Sequence, residues 1–82
     1  MISVIVPAFN AERTIKSCLE SILSQKLNEK FEIIVVDDGS TDKTKKIVQT
    51  FKKVKLIYQK NAGPAKARNN GAKNSNGRII VF

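Results

Sequence analysis

The chain has no histidine, no tryptophan, one cysteine and one tyrosine among 82 residues. Cys18 alone cannot form an internal disulfide, and without histidine the usual ligand sets of a zinc site cannot be assembled. A single thiol suits a reducing compartment, so the cytoplasm is the expected location. Apolar runs such as Val4–Pro7 and Ile33–Val36 are far too short to cross a bilayer, and no signal-peptide pattern opens the chain. Repeats and low-complexity segments are also absent. The scarcity of aromatics bears on the formal net charge of +8. A nucleic-acid surface interleaves cations with stacking rings. Here lysines such as Lys16, Lys45 and Lys73 are spread along the chain without such rings, so most of them read as solvated surface and nucleic acid is not the expected partner.

What is present is a regular alternation. Ile2–Val6 is a β-branched run, ended by Pro7, which lacks an N–H for a strand ladder. Asn10 offers an N-cap, and Ile15, Cys18, Leu19, Ile22 and Leu23 then fall at helical spacing, predicting a helix from Ala11 to about Gln25. Phe31–Asp37 is apolar on successive positions, the habit of a strand buried on both faces. Ser40 or Thr41 caps a second helix bearing Ile47, Val48 and Phe51, with Asp42 in its first turn. Val54–Gln59 is a third strand, less buried than the second. Pro64 suits the first turn of a third helix over Ala65–Ser75, and Arg78–Phe82 opens a fourth strand.

The order β-α-β-α-β-α-β predicts an α/β fold, a Rossmann-like parallel sheet with strand order 3-2-1-4. Chain length allows one small domain or the first part of a larger one. The chain stops inside its fourth strand, which predicts that residues 1–82 are the N-terminal portion of a longer protein. An open apolar edge on that strand also predicts self-association through it.

The second strand ends on Asp37-Asp38-Gly39, at the carboxyl edge where open α/β sheets bind ligands. A dinucleotide or a P-loop phosphate needs a glycine-rich turn for close backbone approach. The turn after the first strand is Pro7-Ala8-Phe9-Asn10, with no glycine, so both are excluded. A nucleotide held without a glycine cradle survives, with Asp38 accepting from base or ribose donors and Arg68 and nearby lysines facing a diphosphate.

The segments VIVPAFNAE, EIIVVDDGSTD and NAGPAKARNNG…NGRIIVF resemble, in order and spacing, the successive motifs of the family 2 glycosyltransferases. The resemblance covers essentially the whole chain. It implies the first part of a GT-A domain, and transfer of a sugar from a nucleotide diphosphate sugar, most often a uridine one, usually with inversion. It implies a role in cell-surface polysaccharide biosynthesis. Pro7, Ala8 and Phe9 would form the wall behind the base, with Phe9 standing where the family usually has Tyr. Asp38 matches the acceptor of the uracil N3–H, while Asp37 is expected to cap backbone amides of the turn. Glu12 is assigned a nucleoside contact, and Asn61, Lys66 and Arg68 approach the base and diphosphate.

The family follows its fourth strand with an Asp-x-Asp motif that binds a divalent metal, Mg or Mn, and further on with a carboxylate base. Neither occurs in residues 1–82, so no catalytic or metal-binding residue is expected in this chain, which is expected to be inactive alone. The acceptor, whether sugar, polysaccharide or lipid-linked, is left open, and any membrane association would run through other regions. The competing reading is a small basic module binding nucleic acid.

Overall fold

Each of the first three β-branched runs is followed by a segment with an apolar stripe or small packing residues, and this dictates a sheet with helices on its faces. In the computed structural model, which describes residues 1–26 and 28–81, the elements are β1 (Ile2–Ala8), α1 (Ile15–Leu23), β2 (Phe31–Asp38), α2 (Thr44–Gln49), β3 (Val54–Gln59), α3 (Pro64–Lys73) and β4 (Arg78–Val81). The strands are all parallel and ordered β3-β2-β1-β4, as the alternation predicted.

The central position of β2 explains its composition. Ile33, Ile34, Val35 and Val36 are all fully buried, because both faces of the strand are covered. Ile33 and Val35 join Val4, Val6, Ile15, Leu19, Ile22 and Val48 in the core beneath α1 and α2. Ile34 and Val36 join Ile5 and Ala67 beneath α3. Cys18 is a half-buried member of the first core, and burial pushes its thiol pKa up, as suits a packing residue. Helix α3 has almost no apolar stripe, burying only Ala67 and Gly71. It compensates by close approach: a Cβ at Gly71 would lie 2.5 Å from Ile5 Cγ2.

Several boundaries differ from the sequence expectation. Strand β1 continues through Pro7 to Ala8, with Pro7 opposite Val36. Among the described residues, β1 pairs with β4 from Ile2 to Ile5. Helix α1 begins at Ile15, because Asn10 takes a left-handed conformation (φ 48) and does not cap it. The Asn10 side chain is used elsewhere: its Oδ1 accepts the backbone N–H of Thr41 at 2.8 Å, while Ser40 Oγ accepts the Asn10 N–H at 2.9 Å. Ser40 and Thr41 therefore serve the β1 loop and not α2. Asp42 supports the start of α2, its Oδ1 accepting the Thr44 N–H at 2.9 Å and the Thr44 hydroxyl. The end of the predicted fourth strand, Phe82, lies outside the described residues.

Candidate functional site

The parallel register brings the carboxyl ends of three strands together, with Ala8 beside Asp37 and Asp38 beside Gln59. Above this edge lies an open cavity of about 380 Å³ lined by Pro7, Ala8, Phe9, Asp38, Asn61, Gly63, Pro64 and Ala67. Two larger clefts lie elsewhere. One, about 620 Å³, sits at the opposite end of the sheet, away from the strand ends where open α/β folds bind ligands. The other, about 730 Å³, lies along α3 and is lined by Gln59, Lys66, Asn70 and Lys73 among others.

The two acids at the end of β2 point to opposite faces and differ in their surroundings. Asp37 is fully buried on the α1–α2 side. Its Oδ1 accepts the Ser40 N–H at 3.0 Å, the turn-bracing contact expected of it, while Oδ2 has no hydrogen-bond partner among the described residues. Asp38 is 4% exposed and forms the floor of the cavity on the α3 side. Its Oδ1 accepts Gln59 Nε2–H and the Ala62 N–H, each at 2.8 Å. Its Oδ2 accepts the Gly63 N–H at 3.1 Å and Asn61 Nδ2–H at 3.3 Å. The bond from Gln59, then those from Ala62 and Gly63, hold the Asp38 carboxyl below the usual carboxylate range against the opposing effect of burial. Asp38 is thus an ionised group that accepts hydrogen bonds and donates none.

The loop after β3 is folded around this carboxylate. Asn61 Nδ2 also donates to the Asp38 carbonyl at 3.0 Å. Gly39 (φ 76) is needed beneath it, since a Cβ there would come within 2.7 Å of Asn61 N. Gly63 (φ 98) then turns the chain into α3, whose first residue is Pro64.

Of the residues singled out from sequence, Pro7, Ala8, Phe9, Asp38 and Asn61 line one cavity. Phe9 is 51% exposed, so its ring is available for contact. Glu12, Lys66 and Arg68 are not among the lining residues. Glu12 is exposed in the β1 loop, its N–H held by Asp42 Oδ2 at 3.2 Å. Lys66 lines the cleft along α3, and Arg68 is exposed on that helix. Sequence reasoning missed Gln59, whose signal was its two-residue spacing from Ile57, which puts both on the α3 face with Asp38. It also missed Ala67, a small residue that keeps the cavity open between α3 and β1.

Fold and site together define an α/β domain of the GT-A kind, with a cavity at the carboxyl edge of its sheet. The chain belongs to glycosyl transferase family 2, whose family model matches residues 3–82. It is similar to glycosyltransferase GlyA of Streptococcus pneumoniae, with 41% identity over 99% of this chain and 12% of that protein. The fold matches that of S. aureus TarS 1–349 in complex with UDP at a TM-score of 0.90 and 35% identity, over 99% of this chain and 26% of that one. The mannosyltransferase PcManGT from Pyrobaculum calidifontis, in complex with GDP-Man and Mn2+, matches at 0.75 and 30%, over 92% and 24%. The chain thus spans only a minor part of the proteins it resembles, 12% of GlyA and 29% of the glycosyltransferase AglE of Haloferax volcanii.

Proposed function

We propose that this chain is the donor-nucleotide part of a glycosyltransferase that moves a sugar from a uridine diphosphate sugar to an acceptor hydroxyl, with inversion at the anomeric carbon. The observation that carries the reading is the ionised, acceptor-only Asp38 carboxylate on the floor of a cavity walled by Pro7, Ala8 and Phe9. A uracil ring offers an N–H to such a group, whereas cytosine presents an acceptor at the same position. Because Asp38 already accepts four hydrogen bonds, an incoming base must displace one. The 3.3 Å bond from Asn61 is the longest, and Asn61 keeps its 3.0 Å bond to the Asp38 carbonyl when it yields. Phe9 then stacks on the ring. Glu12, Lys66 and Arg68 lie outside the cavity wall, so their contacts would be to ribose and diphosphate extending beyond it.

A divalent metal, Mg or Mn, belongs to this proposal for the whole protein, supported by family membership and by the Mn2+ of the mannosyltransferase. The residues here do not fit it. No group of three metal-ligating side chains occurs among the described residues, Asp38 is saturated by neutral donors, and Asp37 is buried. When bound, the metal would neutralise the departing diphosphate. We propose that its Asp-x-Asp ligands and the acceptor base follow residue 82, so that the chain alone binds donor without transferring sugar.

We further propose a cytoplasmic protein of cell-surface polysaccharide synthesis, acting on a sugar, polysaccharide or lipid-linked acceptor. No helix among the described residues is long and apolar enough to cross a membrane. Ile79, Ile80 and Val81 are each 46% exposed on β4, whose partner among the described residues is β1. This supports self-association along that edge, and a sedimentation profile that stays monomeric at high concentration would refute it.

Calorimetric titration with UDP tests the central proposal. Saturable binding is expected, with CDP weaker, and Asp38→Asn should weaken UDP at least about tenfold, the loss of one charge-assisted hydrogen bond. Equal UDP affinity in Asp38→Asn would sink it. So would binding that ignores Asp38 and collapses with salt for any oligonucleotide, the mark of a nucleic-acid module.

A further inference from the structure

Behind Asp38, on the side away from the cavity, three amides are linked in a row. Asn74 Nδ2–H donates to Asn70 Oδ1 at 3.2 Å, Asn70 Nδ2–H donates to Gln59 Oε1 at 3.0 Å, and Gln59 Nε2–H donates to Asp38 Oδ1 at 2.8 Å. Asn74 is tethered in turn by a 2.8 Å bond to the Asn70 carbonyl.

The direction of this row is forced. An ionised carboxylate only accepts, so Gln59 must present its NH2 to Asp38, and its carbonyl oxygen then faces Asn70. That oxygen requires a donor, so Asn70 must present its NH2, and its own oxygen faces Asn74. Each bond polarises the next in the same sense. Gln59 and Asn70 are half-buried, and no charged side chain belongs to the row. It moves no proton, and what it fixes is orientation.

The consequence appears at the carboxylate. Oδ1, which receives the row, is held by two bonds of 2.8 Å, whereas Oδ2 is held by bonds of 3.1 and 3.3 Å. The carboxylate is anchored by one oxygen and offers the other.

We propose that Gln59 and Asn70 are positioning residues that lock Asp38 through Oδ1 and thereby present Oδ2 to the nucleobase. The proposal rests on the nucleotide-binding reading of Asp38 given above. It makes residues of β3 and α3 that do not line the cavity determinants of donor affinity. The cleft along α3 that contains Gln59 and Asn70 is where such an effect originates.

The test is UDP titration of the protein and of Asn70→Ala, Asn70→Asp and Gln59→Met, with Asp38→Asn as reference. Asn70→Ala removes the donor to Gln59 and the acceptor of Asn74 without adding a competing acceptor, and UDP affinity should fall about threefold. Asn70→Asp presents an acceptor to Gln59 Oε1, so the single Gln59 NH2 stands between two carboxylates and Asp38 must share or lose its donor. Affinity should then fall about tenfold, the effect of losing a hydrogen bond to a charged group. Working at about 0.5 M salt reduces the long-range effect of the added charge through solvent. A residue that only packs would not distinguish Asp from Ala in this order. The side-chain NH2 resonance of Gln59 gives a second, ligand-free readout, and should shift in Asn70→Asp and far less in Asn70→Ala. Gln59→Met keeps the side-chain length, cuts the same link from β3, and should match Asn70→Asp should that variant fail to fold. If the folded Asn70 and Gln59 variants bind UDP within about twofold of the parent while Asp38→Asn does not, the relay is overturned and the nucleotide site stands. If Asp38→Asn also binds like the parent, or the parent does not bind UDP, both fall.

Discussion

Asn10 and Thr41 join two loops: the Asn10 side-chain oxygen accepts the Thr41 N–H at 2.8 Å, from a residue held at φ 48. The loop after β1 and the loop after β2 are thus one structure, reinforced by Thr44 Oγ1 accepting the Ala11 N–H at 2.8 Å. Asn is among the few side chains that tolerate this backbone. Asn10→Ala should lower stability by about 1–2 kcal/mol, from a lost hydrogen bond and left-handed strain together. Asn10→Gly should recover the strain part alone. Equal melting temperatures for the two variants would show that the backbone does not matter.

Gly39 carries the packing of the Asp38 loop. With φ 76 and only 2.7 Å between a built Cβ and Asn61 N, Gly39→Ala must push Asn61 away from Asp38. A destabilisation of about 1–3 kcal/mol is expected, together with weaker UDP binding. Unchanged chemical denaturation would contradict the close approach.

Gly71 sets how near α3 lies to the sheet, since a Cβ would meet Ile5 Cγ2 at 2.5 Å and Val36 Cγ2 at 3.1 Å. Alanine normally favours a helix by about 1 kcal/mol over glycine. Here overpacking should reverse that sign, and Gly71→Ala should unfold at lower denaturant concentration. The double variant Gly71→Ala with Ile5→Val should not restore stability, because valine keeps the Cγ2 methyl at 2.5 Å and removes only the Cδ1 contact at 3.3 Å.

Phe9 tests stacking apart from hydrogen bonding. Its ring is half-exposed at the cavity mouth, so Phe9→Ala should leave stability nearly unchanged. UDP affinity should drop by about 1–3 kcal/mol, the usual worth of a base–aromatic stack. Phe9→Tyr should bind at least as well as the parent. A titration in which Phe9→Ala loses nothing would exclude the ring from the site.

Acid should weaken the fold through specific carboxylates. Asp38 is held low first by Gln59, then by Ala62 and Gly63, and Glu32 first by the Ser3 hydroxyl, then by the Asn76 N–H. In Asp42, burial alone would raise the pKa, but the bonds from Thr44 and Glu12 outweigh it. A carboxyl with a depressed folded pKa contributes stability that is present above the unfolded value of about 4 and is lost as pH falls through the folded value. Stability should therefore be level near neutrality and decline below about pH 4. In Asp38→Asn the decline should be shallower, and a melting profile with the same acid slope would refute the assignment.

The strand order and the site's general position were legible in sequence for a simple reason. Runs such as Ile33–Val36 can only be buried on both faces, and a β-α alternation with right-handed crossovers leaves little freedom in topology. The pairing of Pro7–Phe9 with Asp38 was implied by the resemblance to the family 2 glycosyltransferases, and the strand ends bring them to one cavity. What stayed hidden depends on contacts between distant residues. Asn10 looked like a helix cap, because local spacing cannot show that Ser40 and Thr41 compete for it from another loop. Asp38 looked like a free acceptor, because the Gln59, Asn61, Ala62 and Gly63 donors converge on it only when β3 is laid beside β2. Sequence by itself determined which strands are central and which edge carries acids, through hydrophobic periodicity. Only the tertiary structure decided how those acids are used, since hydrogen-bond saturation is a property of packed neighbours.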